Sequence, residues 1–315
     1  MPCPSSPVAY FVFNRPRHTR QSFAAIRAQK PPQLFIIAEG PRERHPEDVA
    51  RCREVREIVE VIDWPCTIHR NYSGTNLGCK KRISGGLDWV FSQVDRAIIL
   101  EDDCVAAPEF FSFCDTLLEV YKDNEKVWVV NGNSYQLKHQ RGAASYYFSK
   151  YPDCWGWATW RRAWINYEGE LPFLEEWIGS ERWGAAFPFK AEQQYWSQKF
   201  RMVKRRRIDT WDYQWVACMN YEGGLAATPN ANLVKNIGCD SEGTHTNECD
   251  QECVYDPSAL GTIVHPSEIK ADFEADELYR SRFFTIPSQS WRSIVPSIFQ
   301  RLNELCRYGV HNLLG

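Results

Sequence analysis

Four short runs rich in β-branched and aromatic residues, "PVAYFVF" (7–13), "QLFIIA" (33–38), "AIILE" (97–101) and "VWVVNG" (127–132), are separated by stretches whose apolar residues recur at helical spacing. Val49, Cys52, Val55, Ile58, Val59 and Ile62 form one such set. Ile83, Leu87, Val90, Phe91 and Val94 form a second, and Phe110, Cys114, Leu117, Leu118 and Tyr121 a third. A strand that is apolar along its whole length must be covered on both faces, and helices between the strands supply the cover. The alternation predicts an α/β fold: a Rossmann-like, mostly parallel central sheet flanked by helices. Ligands of such sheets gather beyond the carboxyl ends of the strands.

A chain of 315 residues is long enough for one large domain with an extension. The main domain is expected over 1–250, with a nucleotide-binding half at 1–135 and an acceptor and catalytic half at 136–250; 251–315 is the C-terminal extension. With 37 basic and 40 acidic residues the net charge is −3, too balanced to attract nucleic acid or anionic lipid broadly. Nucleic acid is therefore excluded as a partner, and a nucleotide would have to be held locally. The twelve cysteines fall mostly inside apolar segments, where a free thiol behaves as a small hydrophobe, which points to a reducing, cytoplasmic setting. Cys249 and Cys253 alone approach metal-ligand spacing, without a second pair to complete a zinc site. The start has neither the basic nor the apolar segment of a secretory signal, and no stretch reaches the roughly 18 apolar residues of a membrane span.

Beyond about residue 145 the texture becomes aromatic and irregular. In "DCWGWATWRRAW" (153–164), Trp157, Trp160 and Trp164 stand three and four apart, a spacing that predicts a helix with the indoles on its core side. Trp155 and Gly156 precede it in an expected turn, where a small residue lets a sugar approach the backbone, so both are assigned to a sugar pocket. A basic helix is expected near "KFRMVKRRR" (199–207). The segment "ATPNANLVKNIGCDSEGTHTNE" (227–248) reads as a mobile loop with strand character only near Leu233 and Val234. The last stretch (291–315) puts Ile298, Leu302, Leu305 and Cys306 on one face, predicting an amphipathic helix. Its sparse basic charge favours packing on the body or a homodimer partner over peripheral membrane contact.

Glu101, Asp102 and Asp103 stand at the end of an aliphatic run. Adjacent carboxylates in such a place repel and are costly unless a cation or hydrogen-bond donors compensate them. A divalent ion, Mn²⁺ or Mg²⁺, is the natural compensator, since these ions prefer oxygen and are commonly held by one or two carboxylates while substrate phosphates complete the shell. The plain alternative is a solvated acidic turn leading into a helix at Pro108.

"ILEDDCVAAPEFF" (99–111) resembles the metal-binding strand end and following helix of GT-A nucleotide-sugar glycosyltransferases, in particular the alpha-mannosyl glycoprotein beta-1,2-N-acetylglucosaminyltransferase family and its bacterial relatives. The likeness rests on an order of segments: "FNRP" (13–16), "AEGP" (38–41), "KKRISGGLDWVF" (80–91), "EDD" (101–103), "CWGWATWRRAW" (154–164) and "TWDYQW" (210–215). It covers roughly residues 7 to 250 and implies a GT-A fold. By this resemblance Asp103 is the direct metal ligand, Asp102 meets the donor ribose and Glu101 the donor sugar. Arg15 meets the nucleotide or its diphosphate, and Arg82 stands where the family has a His near the nucleotide. Glu39 stands where many relatives use an Asp to read uracil. Asp212 matches the general base that takes the acceptor hydroxyl proton, and Trp211 the aromatic beside it that lies against the donor sugar. His245, in the flexible loop, matches only loosely the C-terminal loop from which several GT-A enzymes complete their metal shell or clamp the diphosphate.

The expected function is thus a metal-dependent inverting glycosyltransferase that moves a sugar from a nucleoside diphosphate donor, UDP-linked and by the resemblance UDP-N-acetylglucosamine, to a glycan or lipid-linked glycan acceptor. The alternatives are a catalytically silent sugar-nucleotide-binding relative and a sugar-nucleotide pyrophosphorylase. The latter normally has a glycine-rich phosphate loop after its first strand, and "FNRPRHTRQ" has no glycine.

Overall fold

The computed structural model describes residues 4–137, 139–238 and 256–284. In chain order the elements are β1 (Val8–Val12), α1 (Pro16–Gln29), β2 (Gln33–Ala38), α2 (Glu47–Val59), β3 (Thr67–Tyr72), α3 (Cys79–Phe91), β4 (Arg96–Glu101), β5 (Cys104–Ala106), α4 (Pro108–Val120) and β6 (Val127–Asn131). They continue with β7 (Tyr146–Ser149), β8 (Trp157–Trp160), α5 (Arg161–Trp164), α6 (Leu174–Trp177), α7 (Glu181–Ala186), α8 (Lys190–Lys204), α9 (Asp212–Glu222), β9 (Leu225–Pro229), β10 (Val234–Asn236) and α10 (Phe273–Phe283). Eight strands form one mostly parallel sheet in the order β3-β2-β1-β4-β8-β6-β9-β7, and β5 pairs with β10 in a small antiparallel ribbon.

The alternation of side chains along each strand explains the layers. Val8, Tyr10 and Val12 of β1, with Ile98 and Leu100 of β4, face a core shared with Phe23 and Ile26 of α1, Val55 and Val59 of α2 and Phe110 and Leu117 of α4. Ala9, Phe11, Ala97 and Ile99 face the opposite core, closed by Ile83, Leu87 and Val90 of α3 and by Trp215 and Met219 of α9. A third, aromatic core gathers α6 to α9 with Phe283 and Phe284 at the end of α10. Helix starts follow local chemistry: α1 and α4 each open on a proline, whose fixed φ suits the first helical position and whose missing N–H is not needed there.

Three expectations are corrected. The helix expected over Trp157–Trp164 is instead strand β8 followed by the single turn α5. β8 pairs antiparallel with both β4 and β6, and residues three apart on a strand point to opposite faces. Trp157 accordingly joins Trp164, Trp211 and Trp215, while Trp160 enters the other core and its Nε1–H donates to the Leu118 carbonyl at 3.0 Å. Secondly, the segment expected to be a loop carries β9, whose first residues precede it, as well as the anticipated strand at Val234. Ala226 and Ala227 are fully buried between β6 and β7, where small residues sit beneath packed aromatics. Thirdly, β3 was not anticipated. Its polar sequence, TIHRNY, suits a sheet edge that pairs with β2 alone. The helix expected over 291–315 and the part of the loop holding His245 lie outside the described residues.

Candidate active site

In the order β3-β2-β1-β4 the chain steps outward from β1 and then returns to its other side, so β1 and β4 flank a switch point, the place where open α/β sheets leave a crevice at their carboxyl ends. Arg15 follows β1, Glu101 ends β4, and Asp102 and Asp103 form the turn between β4 and β5. The Arg15 guanidinium lies across the acids: Nη2 donates to Asp102 Oδ1 and Nη1 donates to Asp103 Oδ2 at 3.0 Å. Its side chain is 12% exposed, against 3% for Asp102 and 16% for Asp103. Asp102 also accepts the Phe13 N–H at 3.2 Å, and its carbonyl accepts the Ser22 hydroxyl at 2.8 Å. The guanidinium therefore turns inward onto the aspartates and does not present an open fork to a nucleotide, and its Nε is buried without a partner.

One arginine does not neutralise three acids. Burial, reinforced by the charge of Asp103, pushes the Glu101 carboxyl up to about 8 despite the pull of Arg15. Burial likewise raises Asp102, with Arg15 opposing it. An excess of buried negative charge with an accessible carboxylate at Asp103 is the donor chemistry that a hard oxygen-loving cation requires. Among the described residues no group of three or more His, Cys, Asp or Glu is arranged to hold a metal by itself. The fit is that of an ion held by one protein carboxylate and completed by a ligand's phosphates, as is common for Mg²⁺.

The ribbon β5–β10 brings a second segment against Asp103. The Ile237 N–H donates to the Asp103 carbonyl at 2.8 Å, and a Cβ built on Gly238 would lie 2.4 Å from Asp103 Oδ2. A side chain at position 238 would have to displace the Asp103 carboxylate. His245 comes seven positions later, outside the described residues.

Asp212 is the first residue of α9, and Thr210 Oγ1 donates to its Oδ1. Its charge raises the pKa of Glu101 on β4, Asp153, and the thiols of Cys79 and Cys154, so the β4 acids and the α9 acid share one electrostatic field. Asp153 is a member of this group that the sequence reading missed. Burial holds it up at about 6, the Asp212 charge adds to the rise, and its Oδ2 is buried without a partner. Its signal was available, as a carboxylate three residues before Gly156 in a chain otherwise aromatic there.

The remaining candidates are placed as follows. Glu39 directly follows β2, with both carboxylate oxygens engaged by backbone, accepting the Gly40 N–H at 2.8 Å and the Leu77 N–H at 3.1 Å, and burial raises its pKa. Arg82, on α3, donates to the Asn71 carbonyl at 2.6 Å and to its Oδ1 at 3.1 Å. Glu39 thus ties the end of β2 to the turn before α3, and Arg82 ties α3 to strand β3. Trp211 is 4% exposed and stacks on Trp157 at a centroid distance of 5.4 Å, so its indole is part of the core cluster and offers a sugar little free face. Trp155 is half-buried and meets Tyr135 edge-on at 6.2 Å. Gly156 has φ +73°, and a Cβ there would fall 2.7 Å from Val234 Cγ2 and 3.3 Å from Leu100 Cδ2. What approaches this glycine among the described residues is the Val234 side chain of β10, the strand that leads into the segment beside Asp103.

No protein-family profile and no curated protein matches the chain. Among solved structures, apo mouse xyloside xylosyltransferase 1 superposes with a TM-score of 0.34 at 10% sequence identity, covering 67% of this chain and 80% of that one. A UDP-glucose pyrophosphorylase complexed with UDP-glucose superposes with a TM-score of 0.37 at 8% identity, covering 76% and 95%. An apo UDP-glucose pyrophosphorylase gives 0.32 at 7% identity, covering 70% and 90%. Superpositions this loose say nothing of the chemistry of this chain.

Proposed function

We propose that this chain is an inverting glycosyltransferase that uses a nucleoside diphosphate sugar, with UDP-N-acetylglucosamine the first donor to test and a glycan hydroxyl as acceptor. The observation that carries the reading is that Arg15 bridges Asp102 and Asp103 just past β4 while the charge of Asp212 acts on Glu101 at the carboxyl end of the same strand. A divalent cation, Mn²⁺ or Mg²⁺, held by Asp103 would supply Lewis-acid neutralisation of the diphosphate leaving group. Arg15 holds Asp102 and Asp103 in place and limits their repulsion. Asp212 takes the acceptor proton as the acceptor oxygen attacks the sugar carbon from the face opposite the leaving group, turning an α-linked donor into a β-linkage. Asp153, with its carboxyl held up at about 6, is ionised at neutral pH and adds negative charge near Asp212, while Glu101, held up at about 8, keeps its proton there.

The pyrophosphorylase alternative is disfavoured because the chain passes from β1 into α1 through Phe13, Asn14 and Arg15 alone, and the Phe13 N–H that might cradle a phosphate is bonded to Asp102. The test is a thermal-shift panel of nucleotide sugars with and without Mn²⁺, followed by transfer assays on Asp212→Asn. A bound donor raises the melting temperature. The variant should keep that shift and lose transfer by about 10²–10⁴-fold. Full transfer by Asp212→Asn would remove the base assignment, and donor binding without turnover or slow hydrolysis would identify a silent relative.

A further inference from the structure

Helix α8 ends in a feature that its own capping does not require. A helix C-terminus favours cations in its last turn, and Arg201 and Lys204 already serve there. Arg201 pairs with Glu175 at 3.0 Å and Lys204 Nζ donates to the Leu171 carbonyl at 3.0 Å. Three further arginines follow, Arg205, Arg206 and Arg207, all exposed. The middle one has φ +55°, the left-handed backbone that helix ends normally give to glycine. Backbone bonds lock this turn, with the Arg206 N–H donating to the Val203 carbonyl at 2.8 Å and the Arg207 N–H to the Met202 carbonyl at 2.9 Å. Arg206 reaches Glu170 at 3.4 Å, and Glu170 also receives Lys80 Nζ at 3.1 Å. Arg205 and Arg207 form no ion pair with a described residue.

The turn is also fixed beside the crevice. Ile208 is buried, and a Cβ built on Gly78, at the start of α3, would lie 3.0 Å from Asp209 Oδ2. Asp212 is five residues beyond Arg207, at most about 17 Å along extended chain. The neighbouring Cys79 of α3 feels the charges of Asp209, Asp212 and Glu101 together. A cluster of like charge on a left-handed turn, tied through Arg206 and Glu170 to Lys80 of α3 and followed by Asp209 against Gly78, matches an anion beyond those of the described residues.

We infer that the Arg205–Arg206–Arg207 turn receives an anionic group of the acceptor, a phosphate or diphosphate attached to the glycan, and so holds the acceptor hydroxyl near Asp212. Guanidinium groups pair with phosphate through planar, charge-assisted bonds that lysine does not match. The inference rests on the reading of Asp212 as the base, and its test keeps the two apart.

The experiment uses the full chain and the variant R205A/R207A, with folding checked by melting temperature. Two acceptors carry the same sugar, one as a short-chain alkyl diphosphate and one as the neutral methyl glycoside. The ratio of kcat/KM for the charged over the neutral acceptor should exceed one for the native protein. In the variant it should fall by about tenfold, through KM, a change equivalent to about 1.4 kcal/mol, and in both cases the preference should weaken as salt is raised. Equal KM values for the two acceptors, or a preference that survives in the variant, would overturn the inference. Should neither acceptor react, calorimetric binding of the alkyl diphosphate compound, lost in R205A/R207A, still supports the turn as the anion site, and absent binding refutes it; donor-induced thermal shifts judge the transferase reading separately. Vesicles containing anionic lipid form the last arm. If R205A/R207A abolishes vesicle flotation while leaving the soluble diphosphate compound bound as before, the turn is a membrane contact and the acceptor assignment fails.

Discussion

Replacing Arg15 by methionine tests the electrostatic core of the site, because the side chain keeps an unbranched apolar stem and loses the charged guanidinium. Arg15 contacts two aspartates, of which Asp102 is almost wholly buried, so solvent cannot take over the compensation. Removing one partner of a buried ion pair costs about 3–5 kcal/mol. Asp102 retains the Phe13 N–H and Asp103 is partly exposed, which places the expected loss near the lower end, about 3 kcal/mol. For a domain of this size that corresponds to a fall of roughly 6–12 °C in Tm. Urea denaturation of Arg15→Met and of Arg15→Met/Asp102→Asn supplies the measurement. The double variant should recover a large part of the loss, since the uncompensated charge goes with the second substitution and the two sites are coupled. Mn²⁺ should raise the Tm of Arg15→Met more than that of the native protein, because a cation then takes the place of the guanidinium. A loss below about 1 kcal/mol, or no recovery in the double variant, would show that the acids do not depend on Arg15 and would refute the reasoning.

Gly156→Ala should cost about 3 kcal/mol, combining the left-handed φ with a clash against Val234. Adding Val234→Ala should return the clash but not the backbone share, as read by denaturant midpoints. Asp276 sits in a buried network, accepting the Ser149 hydroxyl at 2.6 Å and the Lys150 N–H at 3.4 Å, while Lys150 Nζ also pairs with Glu192 at 2.7 Å. Burial lifts its carboxyl to about 7, above the unfolded value, so the folded state favours the proton. Stability from this group is greatest below about pH 4, declines as pH rises to about 7 and is then constant, a change on the order of 4 kcal/mol. Asp276→Asn should flatten Tm against pH over that interval and be the more stable form at pH 8. An unchanged pH profile would show that the carboxyl is not desolvated.

The sequence by itself was sufficient for β1, β2, β4 and β6 and for α2, α3 and α4, because residues covered on both faces must be apolar throughout and helices facing a sheet must repeat at their own period. It also marked Glu101 to Asp103, since carboxylates at the end of such a strand are chemically conspicuous wherever the chain goes, whereas Asp212 stood out only through the resemblance of its segment to a known family. Tertiary structure alone decided the rest. β3 is polar because it lies at an edge, and β8 differs from the expected helix because two of the three tryptophans, Trp157 and Trp160, serve the opposite faces of a strand placed between β4 and β6, while Trp164 belongs to the turn α5 after it. That Arg15 is turned onto two aspartates, that Asp153 joins Asp212, and that Gly156 makes room for Val234 all depend on contacts between residues distant in the chain. Local periodicity records how a segment meets the core in general; it carries no record of which distant partner supplies a charge or occupies a space.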